Sequence, residues 1–293
     1  MLEIQEISVE PSFINRLYKR KSITSQEFSE SEGVEWDCRE SNFYLLKVES
    51  TGQSALALWW GEDVLELVET KGVSFKGIVP RDAPQSCMFH ALRKRRLTVV
   101  LGEAGTGKTT IALAYALECL FKREMNVVLC KPTVFVGQRS NAMAPIPGDH
   151  REKMAGYIDS YLTSMQRILG DTFEHHLYEL EDEGRIKFQP LELIRGQHFE
   201  KSVVIIDEAQ NTSPHELMSA ISRLDETSVC IVLGDPCQID LSSGFSETGL
   251  GVLVESEAFE FSDISAGVRL TTNYRGPLAV LASEVLKELS ERR

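Results

Sequence analysis

From residue 97 onward, short apolar runs alternate with longer amphipathic stretches. The runs at 97–101, 126–130, 203–206 and 229–233 are rich in Val, Ile and Leu and unbroken by charge. Such runs suit strands covered on both faces, and their alternation with helical stretches predicts a parallel sheet with crossover helices. Before residue 79 the pattern differs. Apolar runs at 43–48, 55–60 and 64–68 are separated by Ser50-Thr51-Gly52-Gln53 and Gly61-Glu62-Asp63, which predicts an antiparallel meander. A basic run, Arg16, Lys19, Arg20 and Lys21, leads into a Ser/Glu-rich stretch at 22–33 that reads as a flexible linker. The chain therefore divides into a small β-rich N-terminal module with that linker over 1–78 and an α/β domain over 79–293, a parallel sheet flanked by helices.

Composition narrows the classes. With 293 residues, 42% hydrophobic and 26% charged, the chain has the make-up of about two ordinary globular domains. A net charge of −13 opposes indiscriminate binding to nucleic acid or anionic membrane, so any nucleic-acid surface must be local. The six cysteines form no C-x-x-C pair and sit mostly in apolar runs, as buried thiols in a reducing compartment do. The opening residues MLEIQEISVEPSF carry acids where a signal peptide carries basic residues, and no apolar stretch reaches the ~18 residues of a bilayer span. A cytoplasmic location without a membrane partner is expected. The six histidines lack metal-ligand spacing, and the run Arg93 to Arg96 reads as the solvated end of a helix, with nucleic-acid contact as its alternative.

Candidate chemistry lies at the ends of the apolar runs. The sequence LTVVLGEAGTGKTT fits G-x-x-x-x-G-K-[ST] at Gly102, Gly107, Lys108 and Thr109, after a strand and before an Ala/Leu-rich helix. The segment Gly102, Glu103, Ala104, Gly105, Thr106, Gly107, Lys108, Thr109 and Thr110 is therefore a P-loop expected to hold the phosphates of ATP or a relative. Glycines let backbone N–H groups turn inward, Lys108 supplies a full charge, and Thr109 offers its hydroxyl to Mg²⁺. The sequence SVVIIDEAQN ends a buried strand on Asp207 and Glu208. Paired acids alone could mark a helix N-terminus; beside a P-loop, Asp207 is expected at Mg²⁺ and Glu208 at the attacking water. The strand in VCIVLGDPCQI delivers Gly234, Asp235 and Gln238 to the same edge, where Gln238 either senses the γ-phosphate or stabilises the G-D-P turn.

With these residues in hand, the chain resembles the PhoH-like family of P-loop ATPases, relatives of superfamily-one helicases, over about residues 79–289. Beyond the two nucleotide motifs, the resemblance rests on PRDAPQ at 80–85, KPTVFVGQ at 131–138, PGDHREKM at 147–154, LIRGQHFEKSVVIIDEAQN ending at 211, and GDPCQID ending at 240. It implies a RecA-like P-loop NTPase sheet with ATP and Mg as ligands. It also implies that Gln85 helps read adenine, a solvated pre-helix residue being the alternative, and that Lys131, where the family has arginine, faces single-stranded nucleic acid with the loop after it. Glu152 and Lys153 precede an amphipathic helix through Tyr157, Tyr161 and Met165, which a plain helix start would also explain. Arg195 lies in a loop where a basic residue could touch phosphate.

In GVRLTTNYRGPLA, Arg269 and Arg275 follow the nucleotide core as in the helicase-like N-Y-R element. Arg275 is the arginine-finger candidate, acting across a subunit boundary; a solvated surface arginine is the alternative. Only a short tail follows Asp240, so a second RecA-like half would come from elsewhere, and the family analogy is a homo-oligomer, a hexamer. The N-terminal module is too short for the nuclease domain of the family's toxin-linked members. Its Trp36, Trp59, Trp60 and Tyr44 could stack bases, although strand aromatics are more often core. The implied activity is Mg-dependent ATP hydrolysis coupled to single-stranded RNA or DNA binding or helicase-like remodelling. The alternative is an ATP-gated nucleic-acid or protein binding switch that does not unwind.

Overall fold

The computed structural model describes residues 2–32, 43–60, 64–132, 150–170, 173–240, 244–278, 280–281 and 284–285. The N-terminal part builds β1 (Gln5–Ser8), α1 (Pro11–Arg20), β2 (Ser22–Thr24), α2 (Ser25–Glu32), β3 (Phe43–Lys47), β4 (Ser54–Trp60) and β5 (Val64–Leu67). These strands form a mixed sheet in the order β1-β3-β4-β5-β2, in which β3, β4 and β5 are the expected antiparallel meander and β1 lies parallel to β3.

Successive side chains of a strand point to opposite faces, and β4 uses both. Leu56 and Leu58 join Phe43 in the core shared with the next helix of the chain, while Ala55, Ala57 and Trp59 pack with Phe13, Ile14 and Leu17 of α1 and Phe28 of α2. Trp59 and Tyr44 are thus buried core residues, not a stacking platform; Trp36 and the Trp60 side chain lie outside the described residues. The stretch read as a linker is also ordered into β2 and α2. Its polar composition hides two anchors, Ile23 and Phe28, each 2% exposed. Thr24 and Glu27 cap each other: the Glu27 N–H donates to Thr24 Oγ1 and the Thr24 N–H to Glu27 Oε2, both at 3.2 Å.

The remainder forms α3 (Ala83–Lys94), β6 (Leu97–Gly102), α4 (Lys108–Arg123), β7 (Asn126–Lys131), α5 (His150–Leu169), α6 (Phe173–Asp182), β8 (Ile186–Pro190), β9 (Ser202–Ile206), α7 (Pro214–Ile221), β10 (Val229–Gly234), α8 (Gly249–Glu255), α9 (Glu257–Glu260) and β11 (Ser265–Leu270). Its six strands are all parallel, in the order β11-β6-β10-β9-β7-β8. Alternate residues face two cores. Val100, Leu129, Ile205 and Leu233 meet α3, α4 and α5; Leu101, Cys130, Ile206 and Val232 meet α7 and α8. One strand separates β6 from β9, and the C-terminal ends of β6, β10, β9 and β7 align along one edge, as a RecA-like P-loop sheet requires.

The edge strands β8 and β11 have no counterpart among the sequence-predicted strands. IKFQP mixes Lys and Gln with apolar residues, as an edge strand does, and SAGVRL opens on the small residues Ser265, Ala266 and Gly267 and carries Arg269. The basic run at 93–96 is likewise not simply solvated. Arg95 is 3% exposed and donates through Nη2 to Trp59 O at 3.4 Å, Lys94 Nζ lies 2.7 Å from Glu66 Oε1, and Arg96 Nη2 donates to Asp225 O at 2.9 Å. These residues join α3 to β4 and β5 on one side and to the parallel sheet on the other. Among the described residues, no helix is long and apolar enough to cross a membrane.

Candidate nucleotide site

The loop between β6 and α4 turns on two glycines. Gly105 has φ +90° and Gly107, the N-cap of α4, has φ +94°, a region that side chains with a Cβ rarely occupy. Thr106 Oγ1 donates to Glu103 O at 2.8 Å, closing the loop on itself. Lys108 Nζ donates to Gly102 O and, at 3.0 Å, to Glu103 O. Thr109 and Thr110 follow in the first turn of α4, half-buried.

Two other segments brace this loop. Gln85, 4% exposed on α3, donates through Nε2 to Thr106 O at 3.0 Å and accepts the Arg81 N–H at 3.0 Å. It is a buried buttress, not a solvated pre-helix residue, and an adenine contact would have to exchange one of those bonds. On the other side, β11 runs beside β6 with Leu270 opposite Gly102, and the chain after it lies on the P-loop. Asn273 Nδ2 donates to Ala104 O at 3.0 Å, the Tyr274 N–H to Gly105 O at 2.9 Å, and the Tyr274 hydroxyl to Asp82 Oδ2 at 2.7 Å. A Cβ on Gly105 would sit 2.5 Å from Asn273 Oδ1 and 2.6 Å from Arg275 Cγ. Arg275 therefore stands against the P-loop of its own chain, where three hydrogen bonds from its two preceding residues fix the segment. Arg269 points elsewhere, 3.9 Å from Glu3.

The acids converge from β9 and β10. Asp207, 7% exposed, accepts Thr109 Oγ1 on Oδ2 at 3.2 Å and the Glu208 N–H on Oδ1 at 3.0 Å. Burial and the Glu208 charge raise its carboxyl above the ordinary range, against the pull of Lys131 and Lys108. Burial likewise lowers the Lys108 ammonium, opposed by Asp235, Asp207 and Glu208. Tyr161 of α5 also donates to Asp207 Oδ2, at 3.2 Å, and its phenol is pushed far up by burial and by Asp207. Glu208 adopts a left-handed conformation, φ +55°, and its carboxylate lies between Gln210 Nε2 at 2.7 Å and Lys131 Nζ at 3.6 Å.

Gln210 is fully buried and missing from the sequence-based site. Its Nε2 also donates to Gln238 O at 2.9 Å, and its Oε1 accepts the Asp235 N–H at 3.0 Å. Gln238 is thus tied in through its backbone, which also closes the G-D-P turn by donating to Asp235 O at 3.1 Å. The signal for Gln210 was its place two residues after Glu208, inside the same motif. Arg195 is exposed, at the end of the turn that follows β8. Residues 133–138 and 147–149 and the side chains of Glu152, Lys153 and Tyr157 lie outside the described residues.

These groups fit a magnesium-bound triphosphate. Thr109 and Asp207 offer hard oxygen donors on one side, and the P-loop offers a charged lysine and inward backbone on the other. Asp235, 3% exposed, faces the same region: burial raises its carboxyl, while the Lys108 charge and the Cys237 and Ala104 backbones act against that rise.

Comparison with known proteins agrees. The family described as PhoH-like protein matches residues 77–270. A PhoH-like protein of Bacillus subtilis (strain 168) is 32% identical over 195 residues, 66% of this chain and 59% of that protein. Protein PhoH of Escherichia coli (strain K12) is 32% identical over 219 residues, 71% of this chain and 60% of that protein, and Protein PhoH2 of Bacillus subtilis is 32% identical over 218 residues, 72% and 48%. The chain thus spans between about half and three fifths of the length of these relatives. With the P-loop, the paired acids and the parallel sheet in one arrangement, the chain belongs to the PhoH-like family of P-loop ATPases.

Proposed function

We propose that the protein hydrolyses ATP with magnesium and couples hydrolysis to binding or helicase-like remodelling of single-stranded RNA or DNA. The observation that carries the hydrolytic part is the meeting of Thr109, Lys108, Asp207 and Glu208, drawn from two motifs 98 residues apart, at one sheet edge. Thr109 and Asp207 would hold magnesium, which when bound would supply positive charge to the phosphate oxygens. Lys108 exchanges its backbone carbonyl partners for the phosphate tail. Glu208 accepts a proton from water as the water oxygen bonds to the γ-phosphorus and the bond to the β-phosphate oxygen breaks, giving ADP and phosphate. Arg275, beside Gly105, neutralises charge on the transferred group from within the same chain, so a ring of subunits is not required to complete the site.

Support for the polymer comes from Lys131, which ends β7 at the same edge and pairs with Glu208 at 3.6 Å. A polyanion drawing on Lys131 would change the surroundings of Glu208. The same pair supports the second reading, an ATP-gated switch that grips a polymer without unwinding it.

ATPase rates with RNA, DNA and no polymer, for wild type and Lys108→Ala, test the proposal. Turnover lost in Lys108→Ala and raised by one polymer is expected; equal rates in both proteins defeat the hydrolytic reading. Displacement of a strand from a tailed duplex separates remodelling from a switch, and mass measured with and without ATP tests the oligomer.

A further inference from the structure

Asp207 Oδ2 has two side-chain donors from different parts of the chain. Thr109 Oγ1 comes from the P-loop helix and Tyr161 OH from α5, each at 3.2 Å. Neither nucleotide motif contains Tyr161. The side chain is 4% exposed, its ring lies 6.3 Å from that of Phe188, and it shares a core with Met165 and Leu129. A phenylalanine would fill such a position without a polar atom to satisfy; a tyrosine there needs a partner for its hydroxyl, and that partner is the metal-side carboxylate.

The two donors are not equivalent. The hydroxyl oxygen of Thr109 is the one a P-loop turns toward magnesium through a lone pair, while its proton still donates to Asp207 Oδ2, so that bond joins two groups on the metal side. Tyr161 has no such second duty: its hydroxyl acts on the carboxylate alone. Groups that hydrogen-bond a ligating carboxylate set its orientation and typically change metal affinity about 10–100-fold when removed.

We propose that Tyr161 is a positioning residue that holds the Asp207 carboxylate in the orientation that receives magnesium, and that α5 is thereby tied to the metal side of the nucleotide site. The assignment rests on the magnesium-dependent nucleotide binding proposed above.

Tyr161→Phe removes one oxygen atom and keeps the ring, so the fold is retained. Calorimetric binding of ATP at a series of magnesium concentrations is measured for wild type and variant, with the melting temperature of each nucleotide-free protein. The magnesium concentration for half-maximal nucleotide binding should rise about tenfold in the variant, at the lower end of outer-shell effects. In an Asp207→Asn background the same change should produce no further rise. A half-point equal to that of wild type overturns the assignment, and so does a lowered melting temperature with an unchanged half-point, which is the behaviour of a core filler. If the wild type itself binds ATP without any magnesium dependence, the function proposed above fails and this assignment with it; if the wild type depends on magnesium and the variant shares its half-point, Tyr161 alone is misassigned.

Discussion

The carboxamide of Gln210 holds the carboxylate of Glu208, with Nε2 donating to Oε2 over 2.7 Å. Because the same amide accepts from Asp235 N–H and donates to Gln238 O, the general-base candidate is fixed relative to the loop after β10. Gln210→Ala frees Glu208 and should lower kcat by about one to two orders of magnitude, part of the 10²–10⁴ attributable to a positioned base, with KM for ATP nearly unchanged. The stranded Asp235 N–H costs about 1–3 kcal/mol in addition. Steady-state kinetics beside urea unfolding checks both; a rise in KM with kcat intact would mean that Gln210 shapes binding and not the base.

Arg275 rests on Gly105 of its own chain, which turns the question of cis or trans action into a mixing experiment. Arg275→Ala should reduce kcat by about 10³, the lower range for a phosphate-facing arginine. Mixing it with Lys108→Ala should leave the rate low, since neither protein then has a complete site. Recovery of turnover in the mixture would show that the arginine serves a neighbouring subunit.

Gly105 itself has no room for a side chain. Its φ of +90° is strained for any residue with a Cβ, and that atom would meet Asn273 and Arg275. Gly105→Ala should therefore lift residues 273–275 off the P-loop and abolish measurable ATP binding, while the circular dichroism of the sheet and helices persists. Calorimetry giving an affinity within about twofold of wild type, about 0.4 kcal/mol, would show that the 273–275 segment yields freely.

What was legible in the sequence was local. Gly102 to Thr109 encode a backbone turn in consecutive residues, and Asp207-Glu208 end a run of apolar residues, so motif and neighbourhood are one string. What escaped depends on distant partners. Tyr274 meets Asp82 across 192 positions, and Tyr161 meets Asp207 across 46; neither tyrosine has a local pattern that names its acceptor. From the sequence Gln85 reads as an adenine contact or as a solvated pre-helix residue, and only the P-loop folded against it makes it buried. The stretch at 22–33 misled for the opposite reason, since two buried residues anchor an otherwise polar segment.

The junction between the two sheets carries its own titration. Glu66 of β5 faces α3, with Lys94 Nζ 2.7 Å from Oε1 and His90 Nε2 3.7 Å from Oε2, and its side chain is 21% exposed. Burial by itself would raise this carboxyl, but the imidazole and the ammonium beside it outweigh burial and hold it at about 2, below the ordinary 4.5. A folded value below the unfolded one means stability that is whole above about pH 4.5 and is lost as pH falls through about 2. Glu66→Gln lacks that contribution at every pH. The variant should therefore be less stable than wild type near neutrality, by about 1–3 kcal/mol for a lost charged hydrogen bond, and the two melting curves should converge as pH approaches 2. A difference that stays constant from pH 7 to about 2 would mean that the carboxylate contributes shape and not charge to the junction.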